Sequence, residues 1–309
     1  EAGAAARPLG RGQDIREIAP AGSIGGAILE GLATALDRLP VLPQISQRVL
    51  TMVRDPEVTM TDLANVIRQD QVLAVAVMKL SNSPIYGGLQ EIKDLGAACA
   101  RLGMKTIANT VQVVVNNNLY ITGDKRLRGF MERLWRHSIA TAHCASDTAV
   151  LLAEPRNEVL FLAGLVHDIG KVVLLDIVTS EYSGAIGRLR VTPELLREVL
   201  DSFHPLIGLH VAQQWNLPTE FRALIYCHHE PDQCPVEEWL PMAHIVALAN
   251  TVAKVEGYRV YDEEEEETFL ISHPSTRYLN LNDIKLAGLR VDLEDKLEAS
   301  VEAAGAANA

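Results

Sequence analysis

The sequence predicts an all-α protein. Three observations carry this: apolar residues recur at the 3.6-residue period through almost the whole chain, strict apolar/polar alternation is nearly absent, and capping residues and prolines punctuate the periodic stretches. A chain of 309 residues, 48% hydrophobic and 22% charged, is globular and long enough for two domains of ordinary size.

Residues 1–36 are rich in Ala and Gly and read as a flexible tail or linker, with a short helix possible only over Ala27 to Leu39. Leu39-Pro40-Val41-Leu42-Pro43 is extended, and Ile45, Val49, Leu50 and Val53 then follow at helical spacing until Asp55-Pro56 stops them. Thr59 with Asp62 three residues on resembles a capping box, ahead of the stripe Leu63, Val66, Ile67. Asp70 precedes a helix with Leu73, Val77, Met78 and Leu80, which Ser81-Asn82-Ser83-Pro84 ends and Gly87-Gly88 extends into a loop. Glu91 to Leu102 comes next, then a break at Gly103 and a helix through Asn116. Val111 to Val115 is β-branched but continues the helical pattern without a strand partner nearby.

A second unit begins near Asp124. Lys125, Arg126, Arg128, Arg133 and Arg136 read as a solvated helix face, with phosphate binding the alternative. That helix runs through His137 and His143 to about Leu152 and closes at Pro155. Asn157 is placed to cap the helix of His167 and Asp168. Pro193 starts a short helix, His204-Pro205 opens another, and Pro218 a third that ends at His228-His229-Glu230-Pro231. Leu240 to Val255 is a long apolar helix containing His244 and Asn250. After the acidic block Asp262 to Glu267, a single amphipathic helix is expected from Asn282 to Ala303.

Composition excludes several function classes. A formal charge of −12 opposes sequence-independent nucleic-acid binding, which is driven by cations on phosphate. No apolar run approaches the roughly 18 residues of a spanning helix, and no secretory signal is visible. Cys99, Cys144, Cys227 and Cys234 lack paired spacing, which points to a reducing, cytoplasmic setting. The chain does not open on Met, which reads as a processed form or a fragment.

The chemistry concentrates at Phe161 to Lys171, where an apolar run delivers His167-Asp168 and closes on Gly170-Lys171. A buried imidazole and carboxylate need partners. His137 upstream and His204, His228 and His229 downstream can supply them, and imidazole plus carboxylate is a ligand set for divalent transition metals. A hydrogen-bonded polar knot is the competing reading. His143 and Asp147, at i, i+4, read as surface support, and His210, His244 and His273 as structural.

The order Leu39-Pro40-Val41-Leu42-Pro43, Asp70, Ser81-Asn82-Ser83-Pro84-Ile85-Tyr86-Gly87, Arg101-Leu102-Gly103, His167-Asp168-Ile169-Gly170-Lys171, His204-Pro205-Leu206-Ile207-Gly208 and His228-His229-Glu230-Pro231 resembles the HDOD family (HD-related output domain) over about residues 37–258. The resemblance implies a two-lobed helical HDOD fold, with a family-specific lobe at 37–123, an HD-like lobe at 124–258, and an acidic loop with a C-terminal helix at 259–309. It further implies a bacterial signal-transduction output or scaffold module. Such a module would work with signalling protein partners, or a nucleotide or cyclic dinucleotide ligand, but no nucleic acid and no membrane.

By the same resemblance, a metal-dependent phosphohydrolase of HD type is the alternative. The metal ligands would be His137, His167, Asp168, His204, His228, His229 and residue 250, with Lys171 meeting a substrate phosphate. The ion would be divalent Fe, Mn, Zn or Mg. Residue 250 departs from the active pattern, being Asn where a second carboxylate is expected, and Pro231-Asp232-Gln233-Cys234-Pro235 replaces a Gly-Tyr-Pro loop. Both departures favour binding without turnover.

Overall fold

The computed structural model describes residues 44–53, 55–88, 90–180, 193–261 and 270–306, among which there is no β-strand. The expectations for residues 1–36, for Leu39 to Pro43 and for the acidic block lie outside the described residues. Thirteen α-helices are described. They are α1 (Gln44–Val53), α2 (Met60–Ile67), α3 (Gln71–Ser81), α4 (Leu95–Asn117), α5 (Arg128–Leu151), α6 (Asn157–Val166) and α7 (Ile169–Ser180), followed by α8 (Pro193–Gln214), α9 (Thr219–Cys227), α10 (Leu240–Val255), α11 (Pro274–Tyr278), α12 (Asp283–Arg290) and α13 (Leu293–Ala306). None is long and apolar enough to cross a membrane.

The chain separates into two compact units. The larger comprises Leu42–Leu165 with Leu248–Ala309, and the smaller is built on Val166–Ala247.

In the larger unit, local signals do what they promise. The Thr59 side chain accepts from the Asp62 amide while Asp62 accepts from the Thr59 amide, so α2 starts on a full capping box. Asp70 caps α3 through the amides of Val72 and Leu73. The stripes these caps launch meet in one core of Val49, Leu63, Ile67, Leu73, Val77, Ile107 and Val111, to which α13 adds Ala299 and Ala303. Val111 to Val115 is helical, and Gly103 interrupts α4 at φ 76°, ψ 162°, a region that favours glycine. The loop after α3 is pinned by its own motif residues. Asn82 pairs in both directions with the backbone of Ile92 (2.8 and 2.9 Å), and Arg101 donates to the carbonyls of Ser81 and Gln90.

The basic stretch at the start of α5 is used locally. Arg126 pairs with Asp124, Arg133 donates to the Val260 carbonyl, and Arg136 pairs with Glu298. Asn157 begins α6, and its side chain reaches α5 through Ser146 at 2.6 and 3.0 Å.

Two boundaries differ from the sequence expectation. Pro205 does not open a helix: α8 runs unbroken from Pro193 to Gln214 with the proline inside. An interior proline costs on the order of 3 kcal/mol, and here the close packing of α8 along α7 and α9 offsets it. The C-terminal segment is two helices rather than one, parted at Val291 and Asp292. Both residue types have low helix propensity, which an apolar stripe does not register. His143 is a third correction. It is buried rather than superficial, and bonds to Ser300 while Asp147 pairs with Lys296.

A candidate metal centre

The smaller unit gathers its chemistry around one carboxylate. Asp168 lies in the turn between α6 and α7, and His204 sits midway along α8. His228 and His229 directly follow α9, where the helix ends and can direct two successive imidazoles at the same point. His204 Nε2 is 3.1 Å from Asp168 Oδ1, and His228 Nε2 is 3.6 Å from the same oxygen. The Nε2 atoms of His204 and His228 are 3.1 Å apart, and His229 Nε2 is 3.0 Å from that of His204. Asp168, His204 and His228 are buried, while His229 is exposed at the rim.

The outer ring nitrogens settle the tautomers of two of these histidines. His204 Nδ1 lies 2.7 Å from the Leu200 carbonyl and His228 Nδ1 2.7 Å from that of Ile225. A carbonyl only accepts, so both Nδ1 atoms carry the proton, and a ring in its neutral form then presents its lone pair at Nε2. Two lone pairs 3.1 Å apart beside a carboxylate oxygen repel unless something electropositive lies among them. A tetrahedral ion with bonds of about 2.0–2.1 Å has ligand-to-ligand edges of about 3.3–3.4 Å, and the four donor separations here, 3.0 to 3.6 Å, bracket that value. The donor set therefore fits a divalent transition metal in chemistry and in span.

The second oxygen of Asp168 is engaged otherwise. Lys171 Nζ donates to Oδ2 at 2.8 Å, and His167 Nε2 lies 3.5 Å from it. Lys171 is almost fully buried, so its ammonium faces the carboxylate. Burial alone would raise the Asp168 pKa, but the Lys171 ammonium beside it outweighs that and holds the group well below the ordinary carboxylate range. Burial lowers His228 to about 3, in the neutral form a metal requires.

His137 and Asn250 belong to the larger unit. His137 is fully buried on α5 with Nδ1 2.8 Å from the Tyr258 carbonyl, and Asn250 is buried on α10. The other histidines have structural roles: His210 bonds to the Leu206 carbonyl, His244 pairs with Asp232, and His273 caps α11.

The HDOD domain model matches residues 39–231, well over half of the chain. The chain belongs to the HDOD family. All of Asp168, His204, His228 and His229 fall within the matched HDOD segment, which ends before Asn250. An uncharacterized protein of Treponema pallidum (strain Nichols) is 29% identical over 250 residues, which is 75% of this chain and 46% of that protein, so the chain spans under half of that relative's length. An HDOD domain protein of unknown function from Geobacter sulfurreducens has a crystal structure that superposes with a TM-score of 0.71 at 23% identity, covering 89% of this chain and 97% of that one. A Shewanella amazonensis protein provisionally named as a metal-dependent phosphohydrolase superposes at 0.61 with 20% identity over 88% and 97%. A Marinobacter aquaeolei protein provisionally named for signal transduction does so at 0.64 with 19% over 92% and 66%. At these identities the likeness is one of fold.

The neutral histidines make acid sensitivity an expected property. The unfolded chain takes up a proton at His228 below its ordinary 6.5, whereas the metal-free folded chain does so only near 3. His143 behaves alike, lowered to about 3 by burial first and Lys296 second. A folded-state pKa below the unfolded one means that stability falls as pH drops through this window, by roughly 1 kcal/mol per pH unit for each such histidine. Asp168 adds a further loss in the same direction at lower pH. Urea midpoints of the EDTA-treated chain between about pH 7.5 and 5 read this. A flat midpoint would mean that these rings are not neutral and buried.

Proposed function

We propose that this chain is a signal-transduction output module of the HDOD family whose centre at Asp168, His204, His228 and His229 holds a divalent transition metal and which acts by binding rather than turnover. The convergence of Nε2 lone pairs on one carboxylate oxygen, with the opposite ring nitrogens of His204 and His228 already committed to carbonyls, carries the metal assignment. Three of the four ligands are sealed from solvent, which leaves little room for a substrate. Lys171 supports the same reading. Its ammonium pairs with Asp168 rather than facing an open cleft, so it is not offered to a substrate phosphate.

The test is a titration with cobalt(II) followed by visible absorbance, together with metal analysis of protein purified without chelator. About one equivalent is expected, and His204→Ala should lower affinity by about 100-fold or more, since even outer partners of metal ligands are worth 10- to 100-fold. Lys171→Met should raise affinity by about tenfold, because it removes a buried like charge. Equal affinity in the native chain and His204→Ala would end the metal reading.

A second reading, a metal-dependent phosphohydrolase, is favoured by the exposed edge of the centre at His229. A bound divalent ion would lower the pKa of a water and polarise a phosphoryl oxygen. Metal-dependent cleavage of bis(p-nitrophenyl) phosphate that His204→Ala abolishes would replace the binding reading with this one.

A further inference from the structure

Helix α12 of the larger unit is apolar on both sides. Leu286 and Leu289 are buried on the side it packs inward. Opposite them stand Ile284, Ala287, Gly288 and Val291, at the i, i+3, i+4, i+7 spacing of one helix face, and all four are exposed. Ile284 at 83% and Val291 at 75% are the two most exposed large apolar residues among those described. Val291 keeps helical backbone angles, φ −58° and ψ −47°, so the face continues one residue past the end of α12. Between the two large side chains the surface is low, and a Cβ added at Gly288 would meet nothing within 4 Å. Single exposed apolar residues are ordinary, but several in register on one face mark a contact surface.

The borders of this face say what it meets. Asp283, Lys285, Arg290 and Asp292 flank it. Each residue turns the helix by about 100°, which puts Lys285 and Asp292 along one flank and Asp283 and Arg290 along the other. Each flank therefore carries one base and one acid, toward opposite ends of the helix. The border sums to zero within a chain whose formal charge is −12. A partner with one dominant sign of charge gains little from such a border, whereas a second copy of the same face is complementary to it. Turned end for end about a two-fold axis, the copy sets Lys285 over Asp292 on one flank and Arg290 over Asp283 on the other, with Ile284 against Val291 and the two Gly288 positions together. Antiparallel packing also opposes the two helix dipoles. Arg290 already meets Glu256, while among the described residues Lys285 and Asp292 form no ion pair within the chain.

We infer that the face of Ile284, Ala287, Gly288 and Val291 is a self-association surface through which two copies of this chain pair as an antiparallel, two-fold dimer. Its size sets its strength. One short helix face buries well under the roughly 1,200 Å² of a stable interface, so the dimer is transient, with a Kd on the order of 100 μM. Such a contact stays open in dilute protein and closes where copies are held at high local concentration.

Sedimentation velocity of the full chain in EDTA at low salt, from about 10 μM to about 1 mM, tests this. The mean mass is expected to rise from one chain toward two across that range. Ile284→Asp should weaken pairing by about 100-fold, since each copy loses an apolar contact and desolvates a carboxylate instead. Its urea midpoint should be unchanged or higher, because the side chain is exposed and an acid in the first helical turn is favourable. Lys285→Glu should weaken pairing by about tenfold, as two symmetric pairs exchange attraction for repulsion, and Lys285→Glu/Asp292→Lys should restore it. A parallel pair would face Lys285 with Asp283, so a double variant no better than Lys285→Glu overturns the proposed arrangement. A chain that stays single up to about 1 mM, or one that pairs equally well as Ile284→Asp, overturns the surface itself and leaves that face to a different protein. His204→Ala should pair like the native chain, which keeps this outcome separate from that of the metal centre.

Discussion

Asp168→Ala is expected to destabilise the metal-free protein by about 3–5 kcal/mol, the range for removing one partner of a buried ion pair. Lys171 is 4% exposed and Asp168 1%, and their 2.8 Å contact places an ammonium where water does not reach. Truncating the carboxylate leaves that ammonium without the charge that balances it, and also removes the oxygen on which His204 and His228 converge. The control is the double variant Asp168→Ala/Lys171→Met, which should recover most of the loss because no charge is then stranded. Urea denaturation of the single and double variants in EDTA measures both. A single-variant loss under about 1 kcal/mol, or a double variant no better than the single, would mean that the pair does not hold the turn between α6 and α7.

Much of the fold was legible because its helices advertise themselves twice, once by period and once by cap. The Thr59/Asp62 box, the Asp70 cap, the break at Gly103 and the span Leu240–Val255 are all local features, and local features survive into the structure. What the sequence could not show is where tertiary packing overrules a local signal. Pro205 is a breaker by itself, but α8 buries Leu200, His204, Ile207, Val211 and Ala212, and a helix with that much to bury continues through it. Val291 and Asp292 failed in the opposite sense, since the stripe Leu286, Leu289, Leu293, Leu297 keeps helical spacing across a real break.

The candidate site divides along the same line. Residue type and motif order pointed to His137, His167, Asp168, His204, His228, His229 and Asn250, of which the smaller unit gathers Asp168, His204, His228 and His229 around one point, while His137 and Asn250 lie in the larger unit. The commitments that decide their chemistry are invisible in sequence, because the Nδ1 bonds go to backbone carbonyls that any residue would supply. Lys171 reads as a phosphate contact only while its partner is unknown. The setting of His143 and Asp147 was missed for another reason, since the pair resembled helix-surface support until α13, far along the chain, supplied both partners.

Gly170 is the residue whose importance the sequence least suggested, and Gly170→Ala is expected to cost about 3 kcal/mol or more, the upper range for overpacking. A Cβ there would lie 2.0 Å from the His204 carbonyl oxygen and 2.8 Å from the Gly208 amide nitrogen. Both neighbours are backbone, so no rotamer change relieves the clash and α8 must move away from α7. That movement carries His204, whose Nε2 sits 3.1 Å from Asp168 Oδ1. Metal affinity should therefore fall in Gly170→Ala although every ligand is intact. Gly208→Ala is the graded comparison: its Cβ would meet the Ile225 Cγ2 methyl at 2.7 Å, a side-chain atom that can shift, so its cost should be smaller. Urea midpoints and cobalt(II) titration of the two variants side by side give the ranking. A Gly170→Ala chain with native stability and native metal affinity would show that α7 and α8 do not cross at this glycine, and the spacing of His204 from Asp168 would then need another cause.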